Sequence, residues 1–163
     1  MTIDRRTVLA GAGLGAVGVA FLAGGLGGTA TAAFPVQKTP AQWKAQLGPQ
    51  RYAILREAST ERPYSSALNK EHRKGVFACA GCALPLYSST TKFDSGTGWP
   101  SFYRALPNAI VTKSDFTLGM KRTEVLCKRC GGHLGHVFDD GPPPTGLRYC
   151  MNGLAMTFKP GAA

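Results

Sequence analysis

Gly75-Val76-Phe77-Ala78-Cys79-Ala80-Gly81-Cys82 carries a short β-type run straight into a C-x-x-C turn, and Thr123-Glu124-Val125-Leu126-Cys127-Lys128-Arg129-Cys130 does the same again. Two residues between cysteines let both sulfurs turn toward one ion, and two such turns complete a tetrahedron. The spacing points to a structural zinc on Cys79, Cys82, Cys127 and Cys130. Forty-four residues separate the pairs, more than a small zinc ribbon uses, so a β-sheet is expected between them with the metal stapling its ends. Gly81, Gly131 and Gly132 suit the tight backbone of a zinc knuckle. Three other uses of these cysteines exist. Disulfides would need strained local bridges or two long cross-links. A redox C-x-x-C needs a low-pKa thiol, usually at a helix start. A catalytic zinc would leave a coordination position open. His133, close behind Cys130, could compete as a ligand.

Outward from the pairs, β-branched and aromatic runs alternate with Gly and Pro turns: Ala109–Thr112, Arg148–Asn152 and Ala155–Phe158 join the two above. That spacing predicts antiparallel sheet. Phe77, Phe93, Phe102, Phe138 and Phe158 are expected in the core. Helical signals lie ahead of Gly75. Thr39-Pro40 reads as N-cap and first-turn proline, Trp43 and Leu47 follow at helical spacing, and Gly48-Pro49 ends the run. Arg51–Glu57 is a second short helix, and Thr60-Glu61-Arg62-Pro63-Tyr64 a loop. The stiff Gly141–Gly146 loop sits just ahead of Cys150. His72 lies in a charged stretch and is expected to be exposed.

Residues 1–33 read as an address and 34–163 as the folded domain. Asp4-Arg5-Arg6 precedes an uncharged, glycine-rich stretch running to Lys38, which resembles a twin-arginine export signal. Ala30-Thr31-Ala32 supplies a small-x-small cleavage pattern, with cleavage expected after Ala32. The stretch is long enough to serve instead as an uncleaved membrane anchor, the one membrane contact expected. A periplasmic or secreted location follows. Export of a folded chain would let zinc load onto reduced thiolates in the cytoplasm. The chain of 163 residues has a formal charge of +10, of which +9 lies outside the leader. Lys and Arg are scattered, with no block of five or six like charges, so the basicity is read as a solvated surface and no nucleic-acid partner is expected.

Four metal-bound cysteines leave Cys150 alone, either a buried thiol or a nucleophile. Arg148 and Tyr149 precede it, and Met151 and Asn152 follow. Arginine can stabilise a thiolate. His133-Leu134-Gly135-His136 upstream supplies paired imidazoles of the kind general acid catalysis uses near neutral pH. In chain order stand Thr60-Glu61-x-Pro63, Cys79-x-x-Cys82, Lys92-Phe93-Asp94-Ser95-Gly96-Thr97-Gly98-Trp99-Pro100-Ser101-Phe102, Cys127-x-x-Cys130, His133-Leu134-Gly135-His136-Val137-Phe138, Asp140-Gly141-Pro142 and Thr145-Gly146-x-Arg148-Tyr149-Cys150-x-Asn152. Together they resemble the B-type methionine sulfoxide reductases, which act on the R epimer, over residues 38 to 160.

The resemblance implies a mainly β fold of two antiparallel sheets with short N-terminal helices. It implies Cys150 as the nucleophile that attacks the sulfoxide sulfur and becomes a sulfenic acid. His136 would protonate the leaving oxygen, and His133 would polarise that oxygen and hold water. Asn152 would hydrogen-bond in the same network, and Arg148 would favour the thiolate. Trp99 would hold the substrate's methyl group and so select one epimer; outside the resemblance, Trp99 could equally be a core aromatic and the two histidines satisfied core groups. The implied substrates are oxidised exported proteins or peptides containing methionine-R-sulfoxide, with no flavin or nicotinamide needed. One departure stands out: many relatives carry a recycling cysteine where this chain has Thr97, and no sixth cysteine exists. Direct attack on the sulfenic acid by an external thiol follows, from a thioredoxin-like protein or a low-molecular-weight thiol. Two rival readings are a zinc module that binds nucleic acid, which fits the cysteine pairs and the charge, and a non-catalytic redox sensor, which fits Cys150.

Overall fold

Thr39 opens the first helix as its place before Pro40 predicts. Its hydroxyl accepts from the Gln42 N–H at 3.2 Å, and the Gln42 side chain accepts from the Thr39 N–H at 2.9 Å. Such a capping box stabilises a helix start by ~1 kcal/mol. Helix α1 spans Pro40–Glu57 and kinks at Gly48, whose φ of 69° is the left-handed conformation open to glycine. Gly48 is non-helical (φ 69°, ψ 172°), so the two short helices expected on either side of Gly48-Pro49 are present as the two segments of this span. Trp43, Leu47, Ile54 and Leu55 bury its inner face. The computed structural model describes residues 34–161, less the side chain of Leu118. The export signal expected over 1–33, and its cleavage after Ala32, lie outside the described residues. Among those described, no helix is long and apolar enough to cross a membrane.

The strands after α1 are β1 (Gly75–Cys79), β2 (Pro85–Ser88), β3 (Lys92–Phe93), β4 (Ser101–Phe102), β5 (Ile110–Asp115), β6 (Arg122–Cys127), β7 (His133–Phe138), β8 (Arg148–Met151) and β9 (Met156–Pro160). They form two antiparallel sheets, as expected: a three-stranded sheet in the order β2-β1-β9 and a six-stranded sheet in the order β3-β4-β8-β7-β6-β5. Aromatic rings join the sheets. Phe77 of β1 meets Phe102 of β4 edge-on at 4.9 Å, Tyr87 of β2 stacks on Phe102 at 4.4 Å, and the Tyr87 hydroxyl donates to Met151 Sδ of β8 at 3.1 Å. A buried aromatic in such a cluster contributes ~3–5 kcal/mol against truncation to alanine.

Period-two alternation gives the large sheet two unlike faces. Val125, Cys127, Leu134, Tyr149 and Met151 belong to or pack on the core. The intervening residues Arg122, Glu124, Arg148 and Cys150 face the other way. A strand would normally send His133 and His136, three residues apart, to opposite faces. Here Val125 pairs with Gly135 and Leu126 with His133, so Leu134 is an extra residue and the phase shifts. Both imidazoles therefore reach one face, with ring centroids 5.5 Å apart. Gly135 makes the bulge possible: a Cβ there would lie 2.2 Å from the Cys150 carbonyl oxygen.

Candidate active site and metal centre

Strand ends position the four metal-type cysteines. Cys79 closes β1, Cys127 closes β6, and Cys82 and Cys130 stand three residues on in their turns. All five cysteines are free thiols. The four sulfurs of the cluster lie within 4.8 Å of one another, with Cys79–Cys130 at 3.7 Å and Cys82–Cys127 at 3.5 Å. Zinc–sulfur bonds of about 2.3 Å in a tetrahedron require sulfurs about 3.8 Å apart, so the four residues fit the ion expected of them. Hydrogen bonds among the four sulfurs split them, pulling Cys82 and Cys127 down and pushing Cys79 and Cys130 up. Helix α1 braces the knuckles: Arg56 donates to the Cys130 carbonyl at 2.9 Å and Gln46 to the Gly81 carbonyl at 2.7 Å. The metal would tie the small sheet to the β6–β7 hairpin. His133 is not among the ligands; its Nδ1 is held by Glu124.

The other face of the large sheet carries Cys150 directly opposite His136 in the β7–β8 ladder and opposite Ser101 in the β4–β8 ladder. Opposed residues of an antiparallel pair share a face with Cβ atoms roughly 5 Å apart. Cys150, His136, Trp99, Phe138, Asn152, Gly135, Arg122 and Thr60 line one cleft of about 220 Å³. Trp99 is thus a cleft residue, and its indole N–H donates to the Glu61 carbonyl at 3.2 Å. Phe138, expected in the core, lines the same cleft. The bulge has moved it to the histidine face, where the Arg148 guanidinium lies 4.4 Å from its ring centre.

Burial pushes the Cys150 thiol up, against the Thr97 hydrogen bond and the Arg148 charge that both pull it down. Thr97 Oγ1 lies 3.7 Å from Cys150 Sγ and is backed by Ser95 at 2.8 Å, which in turn meets Ser101 at 2.7 Å. Arg148 acts in the expected direction but is shared: its Nε and a terminal nitrogen each donate to Asp140 at 2.8 Å. Asn152 departs from expectation. It lines the cleft, yet its amide joins neither histidine; Oδ1 accepts from the Glu61 N–H at 3.0 Å and Nδ2 donates to the Leu134 carbonyl at 3.2 Å. Its role is to fasten the Thr60–Glu61 segment to β7.

The two histidines lie against carboxylates that no local signal in the sequence singled out. His133 is 4 % exposed, and its Nδ1 pairs with Glu124 at 2.7 Å. Burial pushes this imidazole down, against the pull of Glu124. His136 Nε2 pairs with Asp115 at 2.8 Å. Asp115 also accepts from Arg122 at 2.7 Å and from the Thr117 N–H at 2.8 Å, and the Thr117 contacts hold its carboxyl well below the usual range, with His136 contributing. Glu61 likewise was only one letter of a loop motif. Its carboxylate accepts from the Gly153 and Leu154 N–H groups just past Cys150.

A half-buried thiol, an imidazole beside it and a tryptophan-lined cleft, on a sheet stapled by a four-cysteine centre, define a thiol-based oxidoreductase. Sequence comparison narrows the class. The SelR domain pattern matches residues 47–160. A peptide methionine sulfoxide reductase MsrB of Thiobacillus denitrificans is 57 % identical over 124 residues, covering 76 % of this chain and 94 % of the relative. The protein of that name from Agrobacterium fabrum is 54 % identical over 126 residues (77 % and 93 %), and the one from Methanosarcina barkeri 52 % over 125 (76 % and 88 %). The chain belongs to the SelR family, that of the peptide methionine sulfoxide reductases MsrB.

Proposed function

We propose that the chain reduces methionine-R-sulfoxide in proteins and peptides to methionine, with Cys150 as nucleophile and an external thiol as reductant. The observation that carries this reading is the cross-strand pair of Cys150 and His136 at the floor of the cleft that Trp99 lines. The Cys150 thiolate attacks the sulfoxide sulfur while His136 gives a proton to the oxygen, and the sulfur–sulfur bond so formed breaks, with the sulfur–oxygen bond, as the oxygen passes to the cysteine sulfur. The substrate sulfur gains two electrons and leaves as methionine. The cysteine sulfur loses two and keeps the oxygen as sulfenic acid. Burial holds Cys150 as a thiol at rest, so nucleophilic attack needs its proton removed; Thr97 and Arg148 lower the cost of that step. Trp99, fixed through its N–H by Glu61, offers an apolar face to the S-methyl group. Oxygen beside His136 and methyl on Trp99 are distinct places, and only one epimer fills both while presenting sulfur to Cys150.

Recycling needs a partner. Thr97 stands beside Cys150 where a second thiol would close a disulfide, and a hydroxyl cannot. Cys127 sits on the core face of the same sheet, committed to the metal cluster. An external thiol therefore attacks the sulfenic acid and expels water, and a second thiol releases Cys150 and leaves as the disulfide. The leader supports action outside the cytoplasm: Asp4-Arg5-Arg6, the uncharged run and Ala30-Thr31-Ala32 fit twin-arginine export, with oxidised exported proteins as substrates and a thioredoxin-like protein or small thiol as reductant. The test is turnover of the separated R and S epimers of a peptide methionine sulfoxide with dithiothreitol. R-only turnover is expected. Turnover of S, or of neither by zinc-loaded protein, would overturn the reading.

A further inference from the structure

Two carboxylates hold the two histidines by different nitrogens. Glu124 lies opposite His136 in the β6–β7 ladder yet bonds diagonally to His133, while Asp115, at the end of β5, reaches across to His136. An ionised carboxylate only accepts, so the imidazole nitrogen facing it carries the proton. His133 then holds its proton on Nδ1 and presents a lone pair at Nε2. His136 holds its proton on Nε2 and keeps Nδ1 as its second nitrogen. Among the described residues, His133 Nε2 is buried without a hydrogen-bond partner. A lone pair enclosed in that way invites a donor, and it has no proton to offer a sulfoxide oxygen.

We propose that Asp115 and Glu124 are positioning residues that sort the pair: Asp115 makes His136 the proton donor through Nδ1, and Glu124 makes His133 a pure acceptor at Nε2. The assignment rests on the sulfoxide-reductase reading and narrows the role expected of His133 from polarising the oxygen to accepting a hydrogen bond at Nε2. The Asp115 carboxylate, itself held by Arg122 and Thr117, fixes the His136 ring through Nε2 and leaves Nδ1 as its free nitrogen. A proton taken from solvent at Nδ1 passes to the sulfoxide oxygen and leaves His136 neutral, still bound through Nε2. His133 lines the neighbouring pocket with His136 and Glu124, and its enclosed Nε2 accepts from a water molecule admitted beside it. Burial of His133 keeps it neutral and so fits the acceptor role.

The chain has only three histidines, so selective ¹⁵N-histidine labelling gives a resolvable spectrum, assigned with His72→Gln and His136→Gln. In the reduced, zinc-loaded protein above neutral pH, His133 is expected as the Nδ1–H tautomer and His136 as the Nε2–H tautomer. Glu124→Leu removes the acceptor and the single-tautomer His133 signal with it. Asp115→Asn should lower kcat by about 10- to 100-fold, part of what a general acid contributes, with KM unchanged, and Asp115→Glu should recover part of the loss. A proton on the opposite nitrogen of either ring, or Asp115→Asn at wild-type kcat, would overturn the proposal. Wild-type protein inactive on both epimers would overturn the reductase reading instead, and the spectra would still decide the tautomers.

Discussion

Cys150→Ser is expected to abolish methionine-R-sulfoxide turnover while leaving the fold and the zinc content intact. The loss should be on the order of 10⁴-fold or more, as when a nucleophile is removed. A serine oxygen cannot take the sulfoxide oxygen, because no stable oxidised alcohol corresponds to a sulfenic acid. The fold should survive, since Cys150 is only half-buried and on the face away from the core, so the stability change should stay within about 1 kcal/mol. Steady-state assay of the R epimer, with far-UV circular dichroism and metal analysis of the same sample, reads all three. Residual turnover near wild type would move the chemistry to another residue.

Cys127→Ser should do the opposite: remove the metal and the fold together. Cys127 is fully buried at the end of β6, and its sulfur faces three others. Four-thiolate zinc sites contribute about 10–16 kcal/mol in small domains, comparable with the whole stability of such a chain, about 5–15 kcal/mol. Without the fourth ligand, β1 and the β6–β7 hairpin lose their tie. Expected results are one zinc per wild-type chain, none or substoichiometric zinc in the variant, and a cooperative melt replaced by an unfolded baseline. A strong chelator should produce the same state from wild type. A metal-free variant with a normal melt would show that the cluster is not what holds the sheets.

Much of this was legible from residue order alone, for physical reasons. Runs of β-branched and aromatic residues between Gly and Pro turns revealed β1, β5, β6, β8 and β9. The cysteine pairs revealed the staple because metal geometry fixes the x-x spacing. The stretch β7 reads poorly as a strand, since Leu134 is an extra residue that breaks the period, and the same bulge sends Phe138 to the cleft rather than the core. β2 is brief and starts at a proline. Asp115 and Glu124 carry no local signal: they matter only because β5, β6 and β7 lie side by side and bring them to the imidazoles. Asn152 was placed in the right cleft, but its bonds run to backbone that only the tertiary fold brings near.

The most direct measurement is a single turnover without reductant. Reduced, zinc-loaded protein is mixed with excess methionine-R-sulfoxide peptide, the methionine formed is counted per chain, and Cys150 is read by mass spectrometry after trapping of any sulfenic acid. One methionine per chain, with one trapped oxidation at Cys150 and no intramolecular disulfide, is the expected result. No methionine, or methionine formed with the oxidation on a zinc-site cysteine or in a Cys150 disulfide within the chain, would contradict it.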